Sequence, residues 1–194
     1  MRNRRRRSGA LHRSILRDFA LHLACIRRQA VGMDPRWHLS HARGYLELGM
    51  LKDALAELNA LPPALAASEE ALALRATLHQ EGRDWPALQV VSKLLVQIRP
   101  DSAGAWIMWA YATRRAESID SAERILTEAR LHHPKEPTVL FNLGCYACQK
   151  GDLAAARRWV EAAIALDPSF VQLATDDDDL GPLRASAWRP LPPA

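Results

Sequence analysis

A 34-residue period is the feature that most constrains this chain. Ala122 and Ala156 stand 34 apart, as do Ala129 and Ala163, and Pro134 and Pro168. A fixed period of this size marks stacked supersecondary units, none of which can bury its apolar face alone. Residues 103–134 and 137–168 read as two such units. Each has an apolar helix-length stretch, a polar break, a second helical stretch and a closing proline. Proline cannot continue a helix interior, so Pro134 and Pro168 punctuate the units. Gly151-Asp152 supplies a tight turn, where glycine accepts a left-handed backbone at little cost. Gly144, Ala122 and Ala156 fall where two helices must approach closely.

These residues resemble the tetratricopeptide repeat family. The pattern is carried by Trp106, Trp109, Ala110, Ala122, Ala129 and Pro134 in one unit. In the next it is carried by Leu143, Gly144, Gly151, Asp152, Ala156, Ala163 and Pro168. Upstream, Tyr45, Gly49 and Ala54 match one earlier unit, and Leu74, Gly82 and Ala87 match another, giving steps of 33 and 35 before the regular 34. The first unit ends early at Pro62-Pro63, and Arg75 stands where a small residue is expected. The resemblance implies an all-α fold, an α-solenoid of about four helix–turn–helix repeats over residues 35–168. Paired helices are predicted at 36–49/51–60, 69–81/84–98, 103–116/119–132 and 137–150/153–166.

Composition agrees. Ala and Leu, strong helix formers, dominate a chain that is 48% hydrophobic, and no alternating strand pattern appears. No run approaches the roughly 18 apolar residues that span a bilayer. The three cysteines, Cys25, Cys145 and Cys148, make no disulfide framework. Without a secretory signal the expected location is the cytoplasm, and the preponderance of Arg over Lys suggests a bacterial, GC-rich source.

The net charge of +4 divides unevenly. Residues 1–32 hold nine Arg and one acid, a charge of +8, which leaves −4 for the remainder. The repeat body is therefore mildly acidic, and nucleic acid is an unlikely partner for it. Residues 1–9 read as a basic, disordered arm that could also meet phosphates or an anionic membrane surface. In residues 10–34, Leu11, Ile15, Phe19, Leu23 and Ile26 recur at three- and four-residue spacing, an amphipathic helix near 10–29 that would cap the first repeat. The alternative is that translation starts at Met33, directly before the first unit. Residues 169–194 read as a C-terminal cap: Phe170, Val171 and Ala174 would cover the last repeat, the acidic run Asp176 to Asp179 would end the helix, and Trp188 onward would be a frayed Pro-rich tail.

Catalytic and metal patterns find no support. Cys145 and Cys148 have Cys-x-x-Cys spacing, but both fall mid-helix and no second pair or histidine completes a zinc set, so they read as small residues on one face. His38 and His41 read as packing or hydrogen-bonding residues, and the acidic run lacks a calcium loop's glycine spacing. No phosphate loop, nucleophile elbow or His-Glu-x-x-His appears. The expectation is a binding protein without enzyme activity or cofactor.

The resemblance implies where binding would occur, since the first helix of each unit lines a concave face. That face should present Arg43, Glu47, Leu72, Ala76, His79, Ile107, Tyr111, Arg114, Arg115, Phe141, Cys145, Cys148 and Gln149. Tyr111 and Phe141 would anchor an apolar side chain, and Arg114 and Arg115 would meet carboxylates. The Lys/Asn/Arg clamp by which some members hold a C-terminal carboxylate is not preserved, because Leu39, Arg43, Leu72 and Ala76 occupy that surface. The expected role is a scaffold or adaptor for an unidentified protein or peptide. Alternatives are a secretion or assembly chaperone for an extended client, and an RNA- or membrane-surface adaptor working through the Arg-rich leader.

Overall fold

A computed structural model describes residues 34–191. They form helices and connecting turns, with no strand among the described residues. The basic arm and the expected helix near 10–29 lie outside the described residues. Four helix pairs follow in order: α1 (Trp37–Glu47) with α2 (Leu51–Asn59), α4 (Glu69–Glu81) with α5 (Trp85–Ile98), α6 (Ala103–Ala116) with α7 (Ile119–His132), and α8 (Pro137–Gln149) with α9 (Leu153–Leu166). A one-turn helix, α3 (Pro63–Ala66), separates the first pair from the second. After the fourth pair come α10 (Phe170–Asp176), a 3₁₀ turn (Asp178–Leu180) and α11 (Gly181–Ala185). Most helices pack against a sequence neighbour, α8 with α9 and α5 with α6 most extensively.

Local chemistry sets the boundaries. The side chains of Ser68, Asp84, Ser102, Ser118 and Asp152 accept from backbone N–H groups three residues on, satisfying donors that the first turn leaves free. Three of these caps, Asp84, Ser118 and Asp152, stand 34 apart, as do Ser68 and Ser102.

The buried residues carry the same step through all four pairs. In the first helices Ala42, Ala76, Ala110 and Gly144 are buried. In the second helices Ala54, Leu88, Ala122 and Ala156 are fully buried, as are Leu58, Ser92, Leu126 and Val160. Every step in these series is 34. This corrects the register of the second unit. The residue at the helix crossing is Leu88, not Ala87, and the uneven steps of 33 and 35 disappear. The small residue is Ala76, not a position taken by Arg75. The slip came from taking Gly82 as the turn residue. The left-handed residue there is Arg83, at φ +54°, matching Gly49 at +70° and Gly151 at +84°. At the corresponding position of the third pair, Glu117 has φ −128°, and that turn is made without a left-handed residue.

Gly144 is required by close approach. A Cβ there would lie 2.6 Å from Val160 Cγ2 and 3.2 Å from the Ala156 carbonyl oxygen.

The core has two parts. Leu39, Ala42, Ala54, Leu58, Leu61, Ala71 and Leu78 form one around the first pair. The other runs continuously from Leu72 and Leu88 through Trp106, Leu126 and Val160 to Phe170, Leu180 and Trp188. The C-terminal segment thus belongs to the main core. Trp188 corrects the expectation of a frayed tail: it is buried, and its indole Nε1 donates to Glu161 Oε1 at 3.1 Å.

Candidate functional site

One face of α1, α4, α6 and α8 is lined by residues at 34-residue steps: Arg43, Thr77, Tyr111 and Cys145. The first three are exposed. Arg43 reaches Glu70, with Nη2 donating to Oε1 at 2.8 Å. The register slip moved the expected residues of α4 inward. Leu72 and Ala76 are buried, and His79 is largely buried at the α4–α5 turn, its Nδ1 3.5 Å from Asp84 Oδ2. Burial lowers the His79 pKa, Asp84 opposes that shift, and Arg75 reinforces it. The α4 residues on this face are Thr77 and Gln80, both exposed.

On α6 the expected residues divide. Ile107 and Tyr111 line an open hollow of about 280 Å³ together with Gln80, Gly104, Met108, Asn142 and Tyr146. Arg115 is exposed and lies over two aromatic rings, 5.2 Å from the Tyr111 centroid and 5.6 Å from that of Trp85. Those rings meet edge to face at 5.6 Å, an arrangement that fixes both aromatics and holds the cation above them.

Arg114 points the other way. It makes a two-pronged ion pair with Asp179, Nη2 donating to Oδ1 at 3.0 Å and Nη1 to Oδ2, while its guanidinium sits 5.3 Å from the Tyr146 ring centroid. Hydrogen bonding to Asp179 is the main cause that raises the Arg114 pKa.

The corresponding face of α8 is covered by the C-terminal segment. Phe141 is buried with its ring 5.3 Å from Phe170, and Cys145 and Cys148 are each 2% exposed. The Cys145 thiol points to Asp177 Oδ2 at 3.8 Å, and Gln149 Nε2 donates to the Asp179 carbonyl at 2.9 Å. Leu180 and Leu183 fill the space between, fully or nearly fully buried. Arg184 ties the segment to itself, donating to the carbonyls of Ala174 at 3.0 Å and Asp177 at 2.7 Å. Phe141, Cys145, Cys148 and Gln149 are thus taken up in intramolecular packing. Burial pushes both thiol pKa values up, and pushes the Tyr146 phenol up to about 12. Such thiols stay protonated and are poor nucleophiles.

Sequence reasoning missed Tyr146, Asn142 and Gln80. The signal for Gln80 was available in Asp84, a helix cap 34 residues before Ser118. Tyr146 lines the hollow one residue on from Cys145, on a face of α8 that the expected set did not include. His38 and His41 fit the packing reading, since both approach one carboxylate: Nδ1 of His38 lies 2.6 Å from Glu57 Oε2, and that of His41 3.7 Å from Oε1. Among the described residues no helix is long and apolar enough to cross a membrane.

Comparison with protein-family models and with curated proteins finds no match to this sequence.

Proposed function

We propose that the chain is a tetratricopeptide-type solenoid that binds a protein segment in the open part of its concave channel, as a cytoplasmic scaffold or adaptor without catalysis. The observation that carries this reading is the hollow between α6 and α8. It brings Ile107, Met108 and the two tyrosines Tyr111 and Tyr146 together, with the Gln80 and Asn142 amides at its edge and the exposed Arg115 guanidinium beside it. Aromatic anchors next to an exposed Arg are the usual hot-spot chemistry of protein interfaces. The matching segment has an apolar side chain followed closely by a carboxylate. Arg114 is not part of this surface, because Asp179 already holds it.

The experiment is selection from a library of short displayed peptides on the folded protein, followed by titration of the selected sequences. Tyr111→Ala and Arg115→Glu should each weaken binding by about 1–3 kcal/mol, while Arg157→Glu on α9 should change little. A selected set that carries no acid, or that binds both channel variants as well as the parent, defeats the reading.

A further inference from the structure

The outer faces of the second helices differ in polarity, and α5 carries the longest exposed apolar run among them. On α7 the residues Arg124, Glu128 and His132 are exposed and polar, as a solvated outer face requires. The same positions one unit earlier, on α5, are Val90, Leu94 and Ile98, and they are 61%, 41% and 44% exposed. This stripe borders an apolar hollow of about 390 Å³ lined by Pro63, Ala66, Leu72, Val91, Leu94 and Ile98 among others. Its origin is the length of α2. That helix has 9 residues where α5, α7 and α9 each have 14. Pro62 and Pro63 prevent its continuation, and the one-turn α3, through Pro63, Ala66 and its cap Ala67, borders the hollow where further turns of α2 would run.

We propose that this hollow is the seat of the chain's own residues 10–29, lying as an amphipathic helix along α5. Leu11, Ile15, Phe19, Leu23 and Ile26 supply one apolar face at helical spacing. Twenty helical residues span about 30 Å, more than enough to cover the stripe from Val90 to Ile98. The tether is in the right place. The chain joins α1 at Asp34, and His38, one turn on, contacts Glu57 of α2. The next residue of α2, Leu58, accepts through its carbonyl from Arg75 Nη2 at 2.7 Å, and Arg75 lines the hollow. The two parts of the chain are opposite in overall charge, +8 for residues 1–32 against −4 for the rest. The exposed side chains of α1 and α2 are mostly polar, among them Ser40, His41, Lys52, Asp53 and Asn59, and the exposed apolar residues Leu48 and Met50 lie in the turn between them.

Native Cys25 lies within the segment and makes the test direct. In the full chain, Gln97→Cys places a thiol at the rim of the hollow, and Glu128→Cys places one on the outer face of the next unit. A short bismaleimide should join Cys25 to position 97 within one chain at least tenfold more than to position 128, with products located by peptide mapping. Phe19→Asp combined with Leu23→Asp should remove the preference. Mixing isotopically labelled and unlabelled chains separates links within a chain from links between chains. Equal linking at 97 and 128, a preference that survives the double leader substitution, or links only between chains would each overturn the proposal; the last would make a second copy the occupant.

Discussion

Arg114 of α6 and Asp179 of the 3₁₀ turn, 65 residues apart in sequence, pair through both oxygens of the carboxylate. The pair pins the C-terminal segment across α8 and stands between the covered face of that helix and the open hollow beside Tyr111. About a quarter of each side chain is exposed, so its strength is that of a partly screened, well-oriented pair.

Loosening that pair should uncover the thiols beneath it. In a Cys25→Ser background, Arg114→Ala or Asp179→Asn should raise maleimide labelling of Cys145 and Cys148 about fivefold, the population change expected for about 1 kcal/mol. Both thiols are buried in the intact protein. Unchanged labelling rates would show that Leu180 and Leu183 hold the segment without help from the ion pair.

Gly144 should tolerate no side chain. Gly144→Ala sets a methyl group against Val160 Cγ2 and the Ala156 carbonyl, and overpacking of this kind costs about 1–3 kcal/mol. Val160→Ala in the same chain should recover part of the loss, because the nearest obstructing atom is a side-chain methyl. Thermal denaturation of the two single variants and the double variant measures the coupling.

Arg83 carries a left-handed backbone without glycine's freedom, at φ +54°. The corresponding turns use Gly49 and Gly151. Arg83→Gly should therefore raise stability by about 1 kcal/mol, the usual cost of that region for a residue with a Cβ. A lower melting temperature would mean that the Arg83 side chain contributes more than its backbone strain removes.

His79 should make stability fall on mild acidification. Burial lowers its pKa in the folded state below the ordinary value of 6.5. The unfolded chain then binds a proton more readily, so the contribution is present above that value and is lost as the pH falls below it. Melting temperatures from pH 7.5 to 5.5 should decline less in His79→Gln than in the parent. Parallel curves would place the acid sensitivity elsewhere.

The helix pairs were legible because the 34-residue repeat, the prolines and the Ser/Asp caps agree on the boundaries. The predicted 69–81 and 103–116, for example, match α4 and α6 to the residue. The second unit was misread by one residue because Gly82 looked like the turn glycine while its neighbour Arg83 adopts the left-handed conformation. A single step of register moves a residue about 100° around a helix, which put Leu72, Ala76 and His79 on a face they do not occupy. The seat of the C-terminal segment was not legible. Asp179 meets Arg114 only through the fold, and the Pro-rich context of Trp188 gave no sign that its ring would be buried.

The tail also makes the two ends of the array unequal. In a linear stack each unit is held by its nearest neighbours, and terminal units detach first. Here the C-terminal segment grips α6 through Arg114, α8 through Gln149 and α9 through Trp188. It therefore fastens the last two units together like a clasp. The first unit has no such clasp among the described residues, and its core, shared with α4 through Ala71 and Leu78, is a smaller cluster distinct from the main one. Unzipping under heat or denaturant would start at α1 and α2 and proceed in one direction, with α6 to α11 lost last and as a block.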